Sequence, residues 1–235
     1  MEMKFAGRKI LVAGGTGGLG RAVSLAFLDE GATVSVTYRD QAEFDALKAS
    51  TGANAAQLEG HGVNVLDEAA LKAFVSGLIA KHGRLDALVN AVGGYSAGAP
   101  LWEMDAKALD QMLALNLYSG YWLARAVVPL MLKQGSGAIV NVAATAAFNH
   151  MASASEYVAS KAAAVAMLDS LAADLKGSGV RANSILPSII DTEANRQAMP
   201  DADHAKWPKP EEIARVILFL CSDDAKLVHG AAIPV

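Results

Sequence analysis

KILVAGGTGGLGRAV, residues 9–23, decides the fold. An apolar run from Lys9 to Ala13 is followed by a cluster of glycines and then by a stretch of helical period. A strand, a glycine turn and a helix in that order form the opening of a dinucleotide-binding βαβ unit. Glycines let the backbone turn sharply and approach a pyrophosphate with no Cβ in the way. The helix behind them offers unpaired N–H groups and a partial positive charge to the anion. The spacing is G-x-x-x-G-x-G, with Gly14, Gly18 and Gly20 as its glycines and Thr16 and Leu19 between them. A glycine turn alone is a weak signal, and tight helix–strand packing is its other reading. Its position between the first strand and the first helix favours a nucleotide.

Outward from this turn, β-branched runs alternate with longer Ala- and Leu-rich stretches. The pattern predicts strands over 9–13, 33–38, 57–64, 87–90, 138–142, 181–186 and 231–235. Helices are expected over 19–30, 43–50, 68–81, 106–133, 155–176 and 210–221. Such alternation implies an α/β fold, a Rossmann-type doubly wound parallel sheet of about seven strands with helices on both faces. A length of 235 residues, without linker, repeat or low-complexity tract, suits a single domain over 1–235. The least regular part is 192–210, with Pro200, Pro208 and Pro210, and it is expected to form a flap.

Hydrophobic residues make up 53% and charged residues 19%, which suits a well-buried globular chain. The net charge of −4, with no Lys/Arg cluster, argues against nucleic acid or an anionic membrane as partner. No apolar stretch has membrane-spanning length, and the first strand leaves no room for a signal peptide, so a cytoplasmic protein is expected. The lone Cys221 excludes an internal disulfide, fits a reducing compartment and reads as an inert buried thiol. Histidines at 61, 82, 150, 204 and 229 have no metal-ligand spacing, so no metal is expected. The expected partner is a small-molecule substrate.

The end of the second strand bears on which dinucleotide is taken. An acid there would bond the ribose 2′-OH, and an Arg would accommodate a 2′-phosphate. Here Tyr38 stands where the acid is expected, followed by Arg39 and Asp40. Arg39 favours NADP(H). NAD stays open, with Arg39 as a solvated loop charge and Asp40 on the ribose.

Further along, EYVASKAAA (156–164) places Tyr157 and Lys161 four apart at the start of a helix, on one face. A phenol, with a free pKa of about 10, is a poor acid–base group, and a neighbouring ammonium is expected to lower it. A lone Y-x-x-x-K is common. It becomes specific on the helix after the fifth strand of a dinucleotide-binding sheet.

With these pieces in place, the chain resembles the short-chain dehydrogenase/reductase family over nearly its whole length. The resemblance is carried by Gly14, Gly18, Leu19 and Gly20, by Asn64-Val65, by 88–93 with Asn90, Ala91 and Gly93, by Asn116, by Tyr157 and Lys161, and by 183–187 ending in Pro187. It implies Tyr157 as general acid/base, Lys161 as its modulator and ribose ligand, and Asn116 as holder of a water in a proton relay. It also implies that Asn64 and Val65 contact the adenine, Asn90 lines the cofactor cleft, and Ile190 and Thr192 bind the carboxamide. The long helices 106–133 and 155–176 would form a four-helix interface in a homodimer or homotetramer.

The departures are as informative. The family's substrate-binding serine is replaced here by Ala144, which cannot donate a hydrogen bond. Thr145 is adjacent, but one step along a strand reverses the side chain, so its rescue of that role stays open. Together with the stretches 92–95 and 186–203, the alanine resembles the dihydropteridine reductase-like branch. A quinonoid dihydropterin is readily reduced and needs less polarisation than a ketone. That branch's preference for NADH runs against Arg39. A generic carbonyl/alcohol oxidoreductase and a catalytically weak NADP-binding regulator are the alternatives; joint retention of Tyr157, Lys161 and Asn116 favours an enzyme. Tyr95, Trp102, Phe148, Met151, Met199 and Trp207 would line an apolar pocket beyond the strand ends. Asn195 and Arg196 would address the substrate or cap a flap helix.

Overall fold

Strand β1 (Lys9–Ala13) alternates between two apolar layers: Ile10 and Val12 enter one core, Leu11 and Ala13 the other. It lies mid-sheet in the computed structural model, which describes residues 3–235. The other strands are β2 (Thr33–Thr37), β3 (Leu58–His61), β4 (Ala87–Asn90), β5 (Gly137–Val142), β6 (Val180–Leu186) and β7 (Ala232–Pro234). Their order is β3-β2-β1-β4-β5-β6-β7, and every pairing is parallel. This is the doubly wound sheet expected from the sequence.

One face is covered by α1 (Gly18–Asp29), α2 (Gln41–Ala49) and α8 (Pro210–Cys221), which contribute Val23, Phe27, Leu47, Ile213 and Ile217. The other carries α3 (Glu68–His82), α5 (Ser119–Gln134) and α6 (Ser155–Asp174), through Leu71, Val75, Leu123, Met131 and Leu168. Each large side chain buried this fully contributes about 1.5–3 kcal/mol. Asp40 and Asp67 start α2 and α3 by accepting from Ala42 N and Ala70 N, which satisfies donors at the open helix ends.

Three expectations need correction. The helix expected over 106–133 is α4 (Ala106–Leu113), a π-helical turn (Ala114–Tyr118) and α5. Strand β3 stops at His61, not 64, because 62–66 turn away to wall a cavity, and Gln57 ends a 3-10 turn. The segment 192–210 is more regular than expected. Thr192 Oγ1 caps α7 (Glu193–Ala198), and Arg196 makes a bidentate pair with Asp191. Asn195 donates to the Ile190 carbonyl, so Asn195 and Arg196 brace this segment. Among the described residues, no helix is long and apolar enough to cross a membrane, and no group of three or more acidic, His or Cys side chains could hold a metal ion.

Candidate active site

The strand order reverses between β1 and β4, and a crevice opens there beyond the carboxyl ends of the strands. It holds a cavity of about 610 Å³ lined by Gly14, Thr16, Arg39, Asn64, Val65 and Ala91, with Gly93 at its inner end. Six sequence-predicted cofactor residues therefore share one surface. Gly14 turns with φ of 71°, a conformation that favours glycine, and its N–H is pinned by Thr37 Oγ1 at 3.0 Å. Leu19 and Gly20 are buried behind the loop. Gly18 faces Thr192: a Cβ at Gly18 would come within 2.8 Å of the Thr192 methyl. Thr192 thus closes over the glycine turn, Ile190 packs against the core, and Pro187 follows the end of β6.

Asn90 does not line this cavity. It is 2% exposed and braces the wall from behind, donating to Asn141 Oδ1 at 2.9 Å and accepting from Val92 N at 3.2 Å. The turn at 91–93, which does line the cavity, takes its shape from that brace.

At the inner end stand Tyr157, Lys161 and Asn116. The π turn inserts one extra residue into the helix, which aims Asn116 inward. Its Oδ1 accepts from Gly94 N at 2.9 Å, and its Nδ2 donates to Gly94 O at 3.1 Å and Ser160 Oγ at 2.9 Å. Asn116 therefore ties the loop after β4 to α6 between the tyrosine and the lysine. Ser160 went unrecognised in the sequence because nothing in Y-x-x-S-K marks that serine as bonded across 44 positions.

Lys161 is 5% exposed, and its Nζ donates to the Val142 carbonyl at 3.2 Å. A Cβ on Gly93 would lie 3.2 Å from this Nζ and 3.0 Å from Asn116 Oδ1, so both polar atoms flank the cavity's inner end. Burial without a carboxylate partner lowers Lys161 to about 8. The expected depression of Tyr157 is not what the geometry gives. Lys161 Nζ lies over the ring face, 6.0 Å from its centroid, and burial, with a smaller contribution from Tyr95, pushes the phenol up to about 12. Desolvation is the larger cause, so Tyr157 holds its proton more tightly than a free phenol.

Tyr95 meets Tyr157 edge-on, with ring centroids 4.9 Å apart. It stays 63% exposed, as a residue at a pocket mouth would. Ala144 is extended and buried, two residues beyond the end of β5, and a 3-10 turn (Thr145–Ala147) begins right after it. The strand-reversal argument for Thr145 therefore lapses. Its hydroxyl points to the Pro187 carbonyl at 3.5 Å instead. Met151 and Phe148 are exposed on the following loop. Trp102 is exposed and bonded to its neighbour Glu103, and Trp207 packs on His204. Neither Trp has an observed tie to Tyr157. Burial pushes the Cys221 thiol to about 12, in keeping with an inert thiol.

A glycine turn, a crevice at the strand-order reversal, and a buried tyrosine and lysine at its inner end are thus brought together at one place. The family model for short chain dehydrogenases matches residues 8–203. The chain belongs to the short-chain dehydrogenase family. It is 32% identical to 3-oxoacyl-[acyl-carrier-protein] reductase FabG of Thermotoga maritima, over 99% of this chain and 98% of that one. It is 34% identical to D-threitol dehydrogenase of Mycolicibacterium smegmatis, over 98% and 92%. A short-chain type dehydrogenase/reductase from Mycobacterium ulcerans superposes with a TM-score of 0.93 at 26% identity, covering 99% of this chain and 89% of that one. These similarities make the chain an NAD(P)-dependent oxidoreductase. The names of these two curated relatives describe substrates other than pterins.

The residues fit such a cofactor. The cavity runs from Arg39 and Thr16 past the glycine turn to Gly93, and Lys161 has only one protein acceptor for its three protons among the described residues. Asn64, Val65 and Ala91 would hold the adenosine half, and Lys161 and Thr192 the nicotinamide half. When bound, the nicotinamide supplies or takes a hydride. Tyr157 Oη would hold a proton for that chemistry, α6 sets the place of the tyrosine, and Asn116 ties the loop at Gly94 to Ser160 of α6.

Proposed function

We propose that this oxidoreductase is an NADP(H)-preferring reductase of small, activated acceptors, a quinonoid dihydropteridine being the type case, with Tyr157 as proton donor. The observation that carries the reading is Ala144. A buried methyl group stands where the family places a donor to the substrate oxygen, and Thr145 is turned away. An acceptor that is easily reduced loses least from that missing hydrogen bond. The high Tyr157 pKa supports reduction over oxidation, because the phenol enters the reaction protonated.

A second reading, reduction of an ordinary ketone or oxidation of an alcohol, is favoured by the named relatives, an oxoacyl reductase and a polyol dehydrogenase. Ala144→Ser separates the two. Under the first reading the wild type reduces quinonoid dihydropterin faster than a panel of ketones. The substitution then raises kcat on ketones by about tenfold or more, in line with one donor to a developing oxyanion. Brisk wild-type turnover of ketones, with no gain in Ala144→Ser, would sink the activated-acceptor reading.

The same reading includes a homodimer. Leu117, Tyr118, Tyr121, Trp122, Ala163 and Met167 line an apolar hollow of about 390 Å³ where the π turn, α5 and α6 meet. Tyr118 and Tyr121 stay 47% and 39% exposed there. An open apolar face of this kind suits a second copy of the chain. Ala163→Glu is expected to halve the mass found by light scattering; an unchanged mass would place the interface elsewhere.

A further inference from the structure

We infer that Glu43 reads the 2′ position of the adenosine ribose, accepting a hydrogen bond from a free 2′-hydroxyl and opposing a 2′-phosphate. The inference rests on the NADP(H)-preferring reading above, under which Arg39 marks the end of the cavity where that ribose lies.

Among the described residues, Arg39 and Glu43 are the only charged side chains that line the cavity at the end away from Lys161. The other polar candidates at this end are occupied. Asp40 accepts from Ala42 N as the cap of α2. Tyr38 stacks on Phe44 with centroids 4.9 Å apart, and its hydroxyl donates to Gln41 Oε1 at 2.6 Å. Glu43 stands at the third position of α2, where an acid ordinarily folds back on the cap residue's own N–H. Instead its Oε2 accepts from Thr16 Oγ1 at 2.8 Å, across 27 positions of sequence. That bond holds the carboxylate against the glycine turn and inside the cavity wall.

The wall therefore presents one cation and one anion to the same ribose. A hydroxyl can donate to the carboxylate. A phosphate can pair with Arg39 but must meet Glu43 as a like charge and compete with it for the Thr16 hydroxyl. Arg39 thus draws NADP(H) while Glu43 retains NAD(H). The carboxylate that Tyr38 lacks is supplied from the next helix.

The test is calorimetric binding of adenosine 2′,5′-bisphosphate and of ADP to the wild type, Glu43→Gln, Glu43→Ala and Arg39→Ala. Glu43→Gln removes the charge and keeps an acceptor for Thr16, so the fold is preserved, and the melting temperature checks this. We expect the bisphosphate to bind about tenfold tighter to Glu43→Gln, and ADP to bind no tighter and up to severalfold weaker. The same contrast should appear in Glu43→Ala, which covers a failure of the glutamine variant to fold. Equal changes for both ligands, or none, would overturn the role of Glu43. Arg39→Ala reports on the underlying placement: loss confined to the bisphosphate supports it. Equal loss for both ligands would refute the Arg39 reading and leave Glu43 judged on its own two variants.

Discussion

Tyr157→Phe lowers kcat for reduction by about a hundred- to ten-thousand-fold, the usual weight of a positioned general acid. Dinucleotide affinity stays nearly unchanged, because the ring still packs edge-on against Tyr95 and only the hydroxyl is lost. Stopped-flow hydride transfer together with equilibrium binding measures both quantities. Unchanged turnover would remove Tyr157 from the chemistry. The pH profile adds a sharper check. Tyr157, at about 12, keeps its proton throughout the working range, so it cannot set a basic limb near neutrality in the free protein. Lys161, lowered to about 8, loses its charge as pH rises through that value. A fall in kcat/KM above about pH 8 that persists in the residual activity of Tyr157→Phe therefore belongs to Lys161. A limb that vanishes with the hydroxyl would belong to Tyr157.

Stability carries the same two groups with opposite signs. Between about pH 8 and the ordinary lysine value of 10.5, the unfolded chain binds more protons at Lys161 than the folded one. Stability from this group therefore rises with pH across that window. For Tyr157 the folded state holds its proton longer, from 10.0 to about 12, so that contribution is present below 10 and is lost as pH rises toward 12. Tyr157→Phe should abolish the second trend and leave the first.

What the sequence made legible is what local pattern encodes. Alternating β-branched and helical runs marked all seven strands within a few residues, because the inner strands such as β1 and β4 are buried on both faces and read as short apolar blocks. The glycine turn and the Tyr157–Lys161 pair were legible because their spacing is their geometry. The rest depends on contacts made across the fold. A π turn has the same side-chain pattern as an α-helix, so the break that aims Asn116 was invisible. Glu43 carried no sequence signal, because its bond to Thr16 crosses 27 positions of the chain. The missing drop in the Tyr157 pKa is a matter of depth: four positions along a helix fix proximity to Lys161, but burial is a property of everything packed around the pair. The partners of Asn90, Asn141 and Val92 N, were likewise hidden, since which groups meet a strand-end side chain depends on the neighbouring strand and on the turn that follows.

Gly20→Ala is expected to cost the most stability of any single-methyl change in the glycine turn. A Cβ at Gly20 would overlap the Gly14 carbonyl oxygen and lie 2.9 Å from Gly14 C and 3.0 Å from Gly15 Cα, all backbone atoms that no rotamer can move. The turn cannot yield readily, because Thr37 Oγ1 holds Gly14 N, and Ser24 Oγ donates to the carbonyls of Gly15 and Gly20 at 3.1 and 2.8 Å. Overpacking of this kind costs about 1–3 kcal/mol or more. Thermal unfolding should show it, with dinucleotide affinity lost as the turn is displaced. Gly17→Ala is the informative contrast. A Cβ there meets only Gly14 O, at 3.7 Å, an ordinary contact, yet Gly17 lines the cavity. Its melting temperature should match the wild type while dinucleotide binding weakens, since the added methyl intrudes only on the ligand's space. If both variants lose stability alike, the turn is a packing device throughout. If Gly17→Ala loses binding alone, two glycines three apart do different work: one lets helix α1 seat against β1, and the other leaves room for the phosphates.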